Sequence, residues 1–207
     1  MAKEKKVTII TIPPLKKEVL EVKIIGDTPL ITHAWAEKAK KEMLEKQMKK
    51  AKQGREAKDP DRDYRESLYW LDKKGNLINP KDIDPNKYQM FGFKSIAFKA
   101  AAVRAANDVG LAMTLTRRAF HILGEFMPIK YDHIAMREDM VKIGMGTADL
   151  RYRAEFQNWS TVLRITFNGR IISAEQLFNL FNTAGFGVGV GEWRPERGGV
   201  NGMFHTE

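Results

Sequence analysis

Apolar and charged positions alternate in VLEVKI, with Leu20, Val22 and Ile24 on one face and Glu21 and Lys23 on the other, a pattern that predicts a half-buried strand. Gly26, Asp27, Thr28 and Pro29 punctuate its end. TVLRITF alternates again, with Leu163, Ile165 and Phe167 inward, and closes on the turn pair Asn168-Gly169. A helical period replaces alternation in SIAFKAAAVRAAN, where Ile96, Ala100 and Val103 share a face, Ser95 is placed to cap the start and Asn107 to Gly110 ends it. Near the carboxyl end, Ser173 and Gln176 form a capping box, and Leu177, Leu180, Phe181 and Ala184 recur at i, i+3, i+4 and i+7 before Gly185, which is placed to stop the helix. Further strands are expected over Ala119 to Ile129 and after the last glycines.

Two stretches interrupt this order. The first, at about residues 34–90, begins as a lysine-rich helix whose Lys38, Lys40, Lys41, Lys46, Lys49 and Lys50 are interspersed with Glu37, Glu42 and Glu45, the mark of a solvated face. It continues from Gly54 as a proline-rich segment whose one compact apolar group is Leu68 to Leu71, which predicts a surface insertion. The second, at about residues 131–152, is polar, glycine-punctuated and carries Met136, Met140 and Met145; it predicts a projecting hairpin. With both set aside the order is β-α-β-β-α-β. That order predicts one α+β domain over residues 1–207, a ferredoxin-like antiparallel sheet with helices on one face.

Composition narrows the function. The 207 residues are 43% hydrophobic, enough for a core, and carry a formal net charge of +9, which points to a polyanionic partner. There is no cysteine, so disulfides, zinc-thiolate sites and a cysteine nucleophile are excluded and a cytoplasmic setting is expected. The opening MAKEKKVTIITIPPLKK is too short and interrupted to read as a signal peptide or a spanning helix, so no membrane role is expected.

The stretch AGFGVGVGEWRPERGGVNGMFH, Ala184 to His205, holds seven glycines around Trp193, Arg194 and Arg197. Glycines such as Gly187, Gly189 and Gly191 let a phosphate approach main-chain N–H groups, the arginines neutralise charge, and Trp193 offers a stacking face. The same loop also reads as a helix end and tight turn with Trp193 as packing. Lys99 is a candidate contact, while Arg104 fits either a ligand contact or an ion pair. Arg151 and Arg153 project together from an extended DLRYRAEF, but Asp149 and Glu155 share their face.

Catalytic signals are sparse. The four histidines, His33, His121, His133 and His205, have no metal-ligand spacing, and GFGVGVG lacks the Lys-Ser/Thr of a nucleotide-gripping loop. Neither a metal nor a cofactor is expected, and non-enzymatic binding is the leading expectation.

Three stretches resemble the RAMP superfamily, the ferredoxin-like RNA-binding subunits of CRISPR effector complexes. VKIIGDTPLITH resembles the first strand and turn. FGFKSIAFKAAAVRAAN resembles the first helix motif, with Ser95, Phe98-Lys99 and Arg104 at corresponding places, and VGVGEWRPERGGVNGMFHTE resembles the glycine-rich loop before the last strand. The pattern also resembles proteins encoded by tailed bacteriophages. The resemblance implies a single-stranded DNA or RNA partner, held across the sheet and a thumb-like hairpin by subunits that oligomerise along the strand. It implies as alternatives metal-independent RNA cleavage, with His33 or Asp27 as the catalytic group, and a mimic of a CRISPR subunit acting on CRISPR or phage replication and recombination proteins in the cytoplasm of a bacterial host.

Overall fold

The computed structural model describes residues 12–35, 37–49, 57–82, 90–144 and 146–207. The charged amino-terminal segment, Lys50, Met145 and residues 83–89 of the insertion lie outside them. In chain order the elements are β1 (Lys17–Gly26), β2 (Leu30–Thr32), α1 (Glu37–Gln47), α2 (Pro60–Glu66), β3 (Tyr69–Trp70), β4 (Phe91–Lys94), α3 (Ser95–Ala105), α4 (Met113–Ala119), β5 (Phe120–Ile122), β6 (Phe126–Pro128), β7 (His133–Ile143), β8 (Thr147–Gln157), β9 (Ser160–Asn168), α5 (Ala174–Gly187) and β10 (Phe204–Thr206). The class is α+β, with three antiparallel sheets among the described residues.

The main sheet runs β10-β1-β9-β5. The alternation in β1 and β9 does what it predicts: Val22 and Ile24, with Leu163, Ile165 and Phe167 across the ladder, are buried, and Val22 stands opposite Leu163. Helices α3 and α5 pack together and bury this face, with Phe98 against Phe204 and Phe181 against Phe120 at ring separations of 5.7 and 5.9 Å. Glu21, Lys23, Val162 and Arg164 remain exposed on the opposite face. The capping box forms as expected, with Gln176 N–H donating to Ser173 Oγ at 3.1 Å and Ser173 N–H to the Gln176 side chain at 2.9 Å.

Several expectations are corrected. The helix before the glycine-rich loop does not stop at Gly185 but runs to Gly187; Gly185 is needed because an added Cβ would run into the Phe204 carbonyl where α5 crosses β10. Ser95 is the first helical residue rather than the cap, and its hydroxyl donates to the Gly124 carbonyl at 2.6 Å. The buried face of α3 is Phe98, Ala101, Ala102 and Ala105, with Val103, while Ile96 is exposed; in an alanine-rich helix apolar on most sides, periodicity does not choose the face. Residues 119–129 form not one strand but β5 and β6, split by a turn in which Gly124 has φ +89°, and the two pair in different sheets.

The insertion is more than surface. Leu68, Tyr69, Trp70 and Leu71 all join the core, with Trp70 edge-on to Phe91 at 4.7 Å and its ring N–H on the Arg65 carbonyl at 2.9 Å. The hairpin extends past its expected end, to Gln157, which pairs with His133, and β2 adds to its edge, pairing Leu30 with Phe156.

Candidate nucleic-acid interface

The segment after α5 is fastened to the turn between β1 and β2. Gly189, at φ +68°, donates its N–H back to the Ala184 carbonyl at 2.8 Å, closing the helix. Val190 N–H bonds the Gly202 carbonyl at 2.9 Å, and Gly202 N–H bonds the Pro29 carbonyl at 2.8 Å. Glu192 N–H reaches the Ile31 carbonyl at 3.0 Å, and at Gly191 a Cβ would press on that same carbonyl oxygen at 2.6 Å. Much of the glycine content therefore serves the loop's own close packing.

Between this segment and α3 lies a cleft of about 210 Å³. Ile96, Ala97 and Ala100 form one wall and Val188 to Glu192 the other, with Lys94, Arg104, Arg194 and His33 around them. Of the α3 face that periodicity assigns to the core, Ile96 and Ala100 thus line the cleft instead, while Val103 is buried as expected. Lys94 Nζ sits over the Tyr69 ring, 5.6 Å from its centroid, a cation–π contact that holds the ammonium in place.

Charges at the cleft are ordered by pairing. Glu196 Oε2 accepts from Arg104 Nη1 at 2.6 Å and from Arg194 Nη2 and Nε at 2.8 and 3.0 Å, while Arg194 Nη1 donates to the Gly191 carbonyl at 3.0 Å. Glu192 lies 3.7 Å from His33 Nδ1 and 3.7 Å from Arg153 Nη2. His33 is the principal cause holding the Glu192 carboxyl below its ordinary range; burial opposes it, and Arg153 and Arg194 assist.

Asp139, on β7, is buried, which pushes its carboxyl up. Arg137 at 2.8 Å, Arg153 at 3.1 Å and the Trp193 side chain outweigh that cost and leave its pKa lowered. Arg153, held by Asp139 and 3.7 Å from Glu192, therefore links the hairpin to the cleft wall.

Of the residues expected from sequence, the structure brings Arg104, Arg194, Gly189, Gly191 and His33 together in the cleft. Trp193 is exposed while its backbone takes φ +54°, and Arg197 is exposed without an ion pair among the described residues. Gly187 is the last helical residue and faces open space. Lys99 lies outside the cleft, 3.1 Å from His121 Nδ1 and over the Phe120 ring; burial, then Arg117, lowers its pKa.

Arg151 and Arg153 do not act as a free pair. Arg151 is 2.7 Å from Asp149, which also holds Lys58, and Arg153 is buried against Asp139. Asp27 is 2.6 Å from His205, while His33 faces Glu192. Sequence reasoning missed Lys94, Glu192 and Glu196; only the strand-to-helix junction at Lys94 and the acidic residues inside a basic loop signalled them.

Among the described residues no group of three or more His, Asp or Glu side chains is placed to hold a metal ion, and no helix is long and apolar enough to cross a membrane. The chain matches no protein-family model and no curated protein.

Proposed function

We propose that this protein binds a single-stranded nucleic acid through its sugar-phosphate backbone, in the cleft between α3 and residues 188–194, on a ferredoxin-like core of the RAMP type. The observation that carries the reading is the convergence of Lys94, Arg104 and Arg194 on a cleft walled by Ile96, Ala97 and Ala100. Cations there meet phosphates and small apolar side chains meet sugars and base faces, the combination that single-strand grooves use. The strand order β10-β1-β9-β5, with α3 and α5 on one face, supports the core assignment, and the net charge of +9 supports the polyanion. Backbone contacts carry little sequence preference, which suits copies assembling along a strand.

The test is fluorescence anisotropy of labelled single-stranded DNA, single-stranded RNA and duplex DNA of equal length at two salt concentrations. Tighter, salt-sensitive binding to a single strand is expected. Equal weak binding to all three would overturn the proposal.

A second reading, RNA cleavage without metal, is favoured by one observation: Asp27 orients His205 at 2.6 Å in an exposed pair, the arrangement of a general base. Incubation of labelled RNA with wild type, His33→Ala and His205→Ala decides it. Product from wild type that either variant loses supports cleavage, and no product from wild type rejects it.

A further inference from the structure

Glu196 is placed as a phosphate would be. Its Oε2 collects three guanidinium N–H donors from two arginines that come from different elements, Arg104 from the last turn of α3 and Arg194 from the loop. Two guanidiniums converging on one oxygen make an oxyanion site of the kind that recognises phosphate. The site is built into the fold: Arg194 is held from behind by the Gly191 carbonyl, and Glu196 rides on a 3-10 turn that Pro195 opens and Gly198, at φ +77°, closes. It is also reachable. The Arg104 side chain is 43% exposed and that of Glu196 28%, and both arginines line the cleft.

We infer that Arg104 and Arg194 form a binding site for one backbone phosphate, and that the Glu196 carboxylate is a resident competitor that occupies it until a strand displaces it. The inference rests on the nucleic-acid reading above and adds to it a particular phosphate site and its regulation. Displacement exchanges one exposed carboxylate for one phosphodiester on the same pair of cations. The competitor therefore lowers affinity for any phosphate chain while leaving the cations ordered, and it screens the protein against free anions at ordinary concentrations. A purely structural Glu196 would instead join α3 to the loop and contribute only to stability.

The experiment compares wild type, Glu196→Gln and Arg104→Ala/Glu196→Gln for binding a labelled single-stranded oligonucleotide across a salt series, with a thermal melt of each. Glu196→Gln is expected to bind about two- to fivefold tighter, the range set by the strength of an exposed ion pair. Its salt dependence is expected to steepen by up to about 0.7 in log-log slope, because a cation pair no longer neutralised internally releases more counterions. The double variant should lose both gains.

Unchanged or weaker binding by Glu196→Gln, with wild type still binding, overturns the inference and leaves the cleft reading standing. No binding by wild type or by Glu196→Gln overturns the cleft reading itself. If Glu196→Gln fails to fold, Glu196→Asp, which withdraws the carboxylate by one carbon, replaces it and must shift affinity in the same direction for the inference to hold.

Discussion

Arg153 reaches from the hairpin to Glu192 on the cleft wall, Nη2 to Oε2 at 3.7 Å, while its Nη1 holds Asp139 at 3.1 Å. One buried guanidinium thus positions two carboxylates on separate segments. It thereby ties the hairpin to the loop.

Removing Arg153 leaves Asp139 buried with Arg137 as its remaining cation, so Arg153→Ala should destabilise the protein by about 3 kcal/mol, at the low end for a broken buried pair. Urea unfolding measures it, and a loss below about 1 kcal/mol would mean that the pair is solvated.

The same junction predicts an acid limit. Asp139 and Glu192 both have lowered pKa values in the fold, against ordinary values of 3.8 and 4.5. Their stabilisation is therefore complete above the ordinary range and lost as pH falls through the lower folded values. The unfolding midpoint should be level from about pH 7 to 5 and decline below about 4. A level midpoint down to about pH 3 would remove these carboxylates from the account.

Two glycines of α5 should respond differently. Gly185→Ala drives a Cβ into the Phe204 backbone and should cost at least about 1–3 kcal/mol, because a carbonyl in a ladder yields little. Gly187→Ala, in open space at the helix end, should be neutral or stabilise by up to about 1 kcal/mol. Thermal melts of the two variants compare them directly.

Lys94, where β4 passes into α3, lines the cleft, whereas Lys99 on α3 does not. Lys94→Ala should weaken single-strand binding several-fold and lower the log-log salt slope by about 0.7, whereas Lys99→Ala should leave both unchanged. The reverse result in anisotropy titrations would move the interface to the β5 side of the helix.

Trp70→Ala should destabilise the whole protein by about 3–5 kcal/mol, since Trp70 is buried against Phe91 in the core. A cooperative unfolding transition that keeps its midpoint would show the insertion to be separable.

The chain alone determined the elements whose signals are local. Alternation in β1 and β9 and the Ser173–Gln176 box name their own strands and helix, because side-chain period and capping depend on neighbours within a few residues. Tertiary structure decided which face of α3 is buried, that Trp70 belongs to the core, and which arginines are already spoken for. Arg104 meets Glu196 across 92 residues and Arg153 meets Glu192 across the hairpin base. Pairing of charges is a matter of distance in space, which composition and spacing along the chain do not encode.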